Sequence, residues 1–147
     1  VYFLGKGELR LELNRKYMIS RKKRARYIKN AYLISKEHNI TIDLNDWEQV
    51  WNLLDKFDEP DYVYAIQDGS GNIKIGKSVN PHQRMNSLQT SHATKLVMLG
   101  YCLNQLPLEE KALHKRLKKD RLEGEWFKPS VDVMLVVKEI IYSSRSN

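Results

Sequence analysis

The sequence predicts an α+β protein: a small mixed sheet of three strands flanked by helices, preceded by a small basic helical unit. Three observations carry this expectation. Apolar residues recur at helical intervals before Pro60, the period shortens from 3.6 to 2 at Asp61, and the later pieces alternate as ββαβα with a further helix. Asp58, Glu59 and Pro60 break the pattern between the two parts, so the boundaries read as 1–60 for a basic helical region and 61–147 for a second domain. At 147 residues the chain has room for one domain with an appendage, not two large ones.

Composition narrows the class before any motif is considered. With 41% hydrophobic and 29% charged residues the chain has enough core-forming material for a folded globular protein and too much for a disordered tail. Its one cysteine, Cys102, excludes an internal disulfide framework and a thiolate-rich zinc cluster, and points to a reducing compartment. Apolar runs such as Met134 to Val137 fall far short of the ~18 residues needed to cross a bilayer, so neither membrane insertion nor a signal peptide is expected. The chain opens on Val1 rather than Met, as a fragment or a trimmed N-terminus would.

The formal charge of +7 is uneven. Residues 1–40 hold 11 basic and 3 acidic side chains, residues 41–60 hold 1 and 6, and the remainder holds 13 and 9. Most of the first block's charge lies in Arg21, Lys22, Lys23, Arg24, Arg26 and Lys29, interleaved with Ala25, Tyr27, Ile28, Ala31, Tyr32 and Leu33, which reads as a basic helix starting near Ser20. Such a face attracts phosphate backbones by releasing condensed counterions, or is simply a solvated face; composition leaves both readings open. Asn45 and Glu48 then have capping-box spacing, and Leu44, Trp47, Val50, Trp51, Leu54 and Phe57 form the stripe of an amphipathic helix. Both tryptophans lie on that stripe, so they are assigned to packing, and the acidic side chains nearby are suited to hold the basic helix.

In the second part, Tyr62 to Gln67 and Ile73 to Gly76 read as strands joined by the turn residues Asp68-Gly69-Ser70-Gly71-Asn72. Asn80 and Pro81 supply a cap and a first-turn proline for a helix with Arg84, Met85 and Leu88, ending near Ser91. Lys95 to Leu103 reads as a third, central strand, and Pro107 as the opening of a helix with Leu113 and Leu117 inside. Glu125-Trp126-Phe127 is a short extended piece, and Ser130 caps a last helix buried along Val133, Met134, Val137, Ile140 and Ile141.

Tyr64, Lys74, Arg84 and Glu110 are the candidates for chemistry. Tyr64 and Lys74 lie on two strands joined by a five-residue turn, so antiparallel pairing brings two proton-active side chains to one sheet face. Gly76 falls where a side chain would crowd an approaching backbone, and Arg84 on the next helix can present a forked guanidinium to a phosphate. Glu110 lies one helical turn before His114, and a carboxylate beside a phosphate suits a hard divalent cation such as Mg²⁺. Taken singly, each has a plainer reading: Tyr64 a half-buried strand aromatic, Lys74 an edge solubiliser, Arg84 a helix surface charge, Glu110 a solvated position, His114 a packing or capping group. Trp126 and Phe127 read as core, while His82, His92 and Cys102 have no assigned role.

Together these residues resemble the GIY-YIG nuclease superfamily, in the branch common in phage reading frames, over about Tyr62 to Pro129. Val63-Tyr64-Ala65-Ile66 is similar to its first motif and Lys74-Ile75-Gly76-Lys77-Ser78 to its second, and Arg84 falls eight residues after that glycine as the family's arginine does. Glu110-Lys111-Ala112-Leu113-His114 and Gly124-Glu125-Trp126-Phe127 resemble the branch's closing signatures. The resemblance implies hydrolysis of DNA phosphodiesters with one Mg²⁺ or Mn²⁺. Tyr64 would be the general base, Arg84 would neutralise the scissile phosphate, Glu110 would hold the metal, and His114 would assist Glu110 or contact phosphate. A phenol of pKa ~10 is a poor base at neutral pH, so cationic neighbours would have to lower it, and Lys74 is the expected source of that field.

Lys74 stands where most members of the superfamily have a second tyrosine, a replacement typical of this branch. Arg21, Lys22, Lys23, Arg24, Arg26, Lys29 and Lys77 are the expected nucleic-acid contacts. DNA is the implied partner, without a membrane, with a homodimer if both strands are cut, in the cytoplasm of a bacterial or phage-infected cell. Leu88 departs from the histidine or tyrosine that many members place four residues after the arginine, and Glu125 and Trp126 stand where some have an asparagine. A non-catalytic nucleic-acid-binding module and a protein-interaction domain of the same fold are the alternative readings.

Overall fold

Ser20 caps the first helix in the computed structural model, which describes residues 20–145: its side chain accepts the Lys23 N–H at 3.2 Å and starts α1, Arg21–Glu37. The expectations that fall on residues 1–19, part of the basic block, lie outside the described residues. A second helix, α2, spans Trp47–Lys56. Its cap is Asp46 rather than Asn45: Asp43 Oδ1 accepts the Asn45 N–H and the Asp43 carbonyl accepts that of Asp46, a turn that leaves Asn45 outside the helix. Ala31 and Ile34 of α1 bury against Trp47, Val50 and Leu53 of α2, and both tryptophans pack in this cluster. Glu59 fastens α1, accepting from Asn30 Nδ2 at 3.0 Å and lying 3.6 Å from Arg26 Nη2.

The described residues separate into two compact units between Pro60 and Asp61. The second holds β1 (Tyr62–Gln67), β2 (Ile73–Ser78), α3 (Pro81–Gln89), β3 (Val97–Leu103), α4 (Glu110–Arg116), a 3₁₀ turn (Lys118–Asp120), β4 (Trp126–Phe127) and α5 (Val131–Arg145). Asp68 closes the first hairpin by accepting the Ser70 and Asn72 N–H groups through Oδ1, with Gly71 at φ +89° where glycine avoids a Cβ clash. Asn80 Oδ1 accepts the Gln83 N–H to start α3, and Ser130 Oγ accepts the Val133 N–H to start α5.

The class is α+β, and the sheet differs from expectation in three respects. It has four strands in the order β3-β1-β2-β4, and every pair is antiparallel. The fourth is a two-residue strand, too short to show a period in the sequence. The third is an edge strand rather than the centre: its apolar side chains serve the cover provided by α5, whereas β1 and β2 are buried along most of their length. Pro107 lies ahead of a helix that begins only at Glu110, in a turn with a cis Leu106–Pro107 bond.

Strand alternation divides this unit into two apolar layers. Val63, Ala65, Ile73, Ile75 and Phe127 pack with Leu113 and Leu117 and with Val133, Val136, Val137 and Ile140 of α5. On the opposite face Tyr64 and Ile66 pack with Leu96, Met85 and Leu88. Each fully buried aliphatic side chain contributes about 1.5–3 kcal/mol, so the thicker α5 layer anchors the sheet and the thinner one is where polar groups enter.

Candidate active site

The β1–β2 register sets the centre of the site. Tyr64 lies opposite Gly76 and Ile66 opposite Lys74, so Tyr64 and Lys74 share a face, one diagonal apart. A Cβ at residue 76 would meet Tyr64 Oη, its Cζ at 2.6 Å and Glu125 Oε2 at 2.9 Å. Glycine there lets the phenol ring cross the neighbouring strand. The strand does not end at Gly76 but continues to Ser78, and the space above the glycine is filled by Tyr64 and Glu125.

Lys74, opposite Trp126 in the β2–β4 pairing, is buried. Its Nζ is 3.2 Å from Glu125 Oε2 and 5.5 Å from the Trp126 ring centroid. His92 stacks on the same indole at 5.2 Å and lies 3.6 Å from Asp68 Oδ2, which gives this histidine a buttressing place the sequence did not suggest. Arg84 projects from α3 and donates a hydrogen bond to the Tyr64 hydroxyl.

Glu110 opens α4. Its N–H donates to Asn104 Oδ1 at 2.7 Å, and Asn104 Nδ2 donates to Asp61 Oδ1 at 3.1 Å, so a loop side chain fixes the first turn. The Glu110 carboxylate, 14% exposed, has Lys77 Nζ at 3.9 Å and His114 Nε2 at 3.4 Å. His114 Nε2 is also 2.6 Å from the Ile75 carbonyl oxygen, and a carbonyl only accepts, so that nitrogen carries a proton and donates. His114 therefore pins α4 to β2 and offers no lone pair to a metal at Nε2.

Among the described residues no group of three or more His, Cys, Asp and Glu side chains is arranged to hold a metal. Mg²⁺ does not require one, since it keeps several waters and is commonly held by one or two carboxylates together with substrate phosphates. Glu110, a lone partly shielded carboxylate, fits that mode.

The electrostatics correct one expectation. The Tyr64 hydroxyl is pushed above its ordinary ionisation range, by burial first and by the Glu125 charge next, with Glu110 adding to it; the hydrogen bond and charge of Arg84 oppose the shift without reversing it. Lys74 does not supply a lowering field, because its ammonium pairs with Glu125. Glu125 is the site residue that sequence reasoning passed over. It lay within the signature Gly124-Glu125-Trp126-Phe127 without being given a role, and only the β4 pairing brings it to Lys74.

The sequence candidates thus fall into two groups. Tyr64, Lys74, Arg84, Glu110 and His114 all belong to the second unit: Tyr64 lies with Arg84 and Lys74 pairs with Glu125, Glu110 lies with His114 and Lys77, and the two sets are joined by the Glu110 charge acting on Tyr64. On the first unit, Arg21, Lys22, Lys23, Arg24 and Lys29 are exposed, whereas Arg26 is half-buried against Glu59 and Tyr27. Arg24 lies over the Trp47 ring at 5.7 Å.

Fold and site define a small α+β domain with a cluster of phenol, guanidinium, ammonium and carboxylate groups on one sheet face. Over residues 61–142, more than half its length, the chain matches the T5orf172 domain, and it belongs to that family. The family is loosely linked to nucleases and DNA-binding modules. No curated protein and no solved structure matches the chain closely enough to count as a relative. Among the described residues no helix is long and apolar enough to cross a membrane.

Proposed function

We propose that the protein is a metal-dependent DNA endonuclease of the GIY-YIG type, hydrolysing one phosphodiester at the cluster around Tyr64. The observation that carries this reading is the Tyr64 hydroxyl, hydrogen-bonded to Arg84 and within electrostatic reach of both Glu110 and Glu125. Hydrolysis of a phosphodiester needs a group that handles the water's proton, a cation against the phosphate and a site for a hard metal, and this neighbourhood offers all three. Arg84 neutralises charge growing on the non-bridging oxygens. Glu110 would hold Mg²⁺ or Mn²⁺, which when bound supplies positive charge that polarises the phosphate. Tyr64 contacts the attacking water, and His114 keeps Glu110 in place by tying α4 to Ile75. Lys77 and the α1 cations Arg21, Lys22, Lys23, Arg24 and Lys29 contact the DNA backbone, with Arg26 bracing the helix.

The test is plasmid nicking by the purified chain. Cleavage is expected with Mg²⁺ and not with EDTA, and Glu110→Ala or Arg84→Ala should each lower the rate by about 10²–10³ while DNA binding persists. Equal Mg²⁺-dependent nicking by both variants would reject the assignment. One observation favours a second reading, a non-catalytic nucleic-acid-binding module: Leu88 packs with Tyr64 in the thin apolar layer, so α3 carries no proton-active side chain there. A salt-dependent DNA complex that yields no product with any divalent metal would establish it.

A further inference from the structure

A phenol held protonated by its surroundings is a poor final acceptor for a proton from water, and the structure provides a better one next to it. Glu125 Oε2 and Tyr64 Oη both crowd the position above Gly76 that a Cβ would occupy, which puts carboxylate and hydroxyl over the same backbone atom. The Glu125 main chain is fixed as well, because its carbonyl accepts the Ile75 N–H at 3.1 Å. Lys74 Nζ lies 3.2 Å from that same Oε2 and holds the carboxylate in place.

Resting on the hydrolase reading above, we propose that Glu125 is a catalytic residue, the terminal proton acceptor, with Tyr64 relaying the proton to it. In the step, a water O–H bond breaks as its oxygen bonds to phosphorus, the water proton passes to Tyr64 Oη, and the Tyr64 proton passes to Glu125. The bond from phosphorus to the leaving oxygen then breaks, that oxygen takes a proton from solvent, and Glu125 returns its proton to solvent. Tyr64 ends as it began, and no oxidant or further reactant is consumed. While Glu125 is neutral, the Lys74 ammonium is no longer cancelled and faces the extra negative charge on the phosphorus centre.

The groups facing this pair come from every neighbouring element. Arg84 of α3 and Glu110 of α4 act on Tyr64, Lys74 of β2 acts on Glu125, Tyr101 of β3 is the cross-strand partner of Tyr64, and His92 with Asp68 flanks the indole of Trp126. Both carboxylates that act on Tyr64 have cationic neighbours, but only Glu125 shares the space above Gly76 with the Tyr64 hydroxyl, and its charge acts on Tyr64 more strongly than that of Glu110, which lies beside Lys77 and His114.

The experiment is the pH dependence of single-turnover plasmid nicking at saturating Mg²⁺, for the wild type, Glu125→Gln and Glu125→Asp. A carboxylate acceptor gives a wild-type rate that is level from about pH 7 to 9, because carboxylates ionise near ~4. Glu125→Gln should fall at least about 100-fold with DNA affinity unchanged, and Glu125→Asp should recover part of that loss. A wild-type rate rising about tenfold per pH unit toward ~10 would identify the phenolate as the base and overturn the relay, as would a Glu125→Gln variant that cuts like wild type. The wild-type profile needs no variant, so the proposal stays open to refutation if Glu125→Gln fails to fold with Lys74 unpaired. Wild type that binds DNA and cuts none overturns the hydrolase reading itself, an outcome distinct from cleavage that ignores Glu125.

Discussion

At the scale of single residues, Gly76 decides more than its size suggests. A methyl group there would press on the Tyr64 ring and the Glu125 carboxylate together, so Gly76→Ala is expected to cost about 1–3 kcal/mol in a urea melt. On the hydrolase reading it should depress nicking further, because both displaced groups belong to the proposed proton relay. Tyr64 makes a separate prediction about pH. Its native ionisation lies above that of the unfolded chain, which starts from 10.0, so the unfolded state binds fewer protons as the solution turns alkaline. Stability should hold below about pH 10 and fall as pH rises from there through the native value, and Tyr64→Phe should remove that part of the fall in melts taken across the range. Tyr64, Lys74 and Arg84 were legible in the sequence because strand alternation and one proline-initiated helix fix their faces. Glu125 was not, since a two-residue strand carries no periodicity and its partner could not be known before the sheet was assembled.

At the scale of elements, the placement of Glu110 depends on two anchors of α4. Asn104 satisfies the helix's first-turn N–H from outside, a job usually done by the capping residue itself; Asn104→Ala should lower stability by about 0.5–2 kcal/mol and weaken Mg²⁺-dependent cleavage more than DNA binding. Comparing melts with cleavage at several Mg²⁺ concentrations checks it. The second anchor is the His114 contact with Ile75, which couples the helix to the strand below. Helix positions were largely readable from caps and stripes, as Ser20, Asn80 and Ser130 illustrate. Sheet order was less so. Apolar content in β3 resembled that of a central strand because one helix covers it, and a chain cannot announce whether cover comes from a helix or from two strand neighbours.

For the whole molecule, the division at Pro60 separates a charged helical unit from the unit that carries the cluster. Four cations occupy the first turn of α1 with no acidic residue there, an arrangement that opposes the helix dipole and gains most from a polyanion. Replacing Arg21, Lys22, Lys23 and Arg24 by Ala should flatten the slope of log affinity against log salt by up to about 0.9 for each phosphate that α1 then leaves unneutralised. The melting temperature should not drop, and titrations at several salt concentrations read the slope directly. The order β3-β1-β2-β4 also bears on biosynthesis. A polypeptide that ended between Arg84 and Glu125 would bear the tyrosine and the arginine, yet lack the carboxylate and leave one margin of β2 open to any passing strand. Translation must reach Phe127 before that margin closes, so truncated products would keep the α1 cations, lack the complete cluster and be prone to clump.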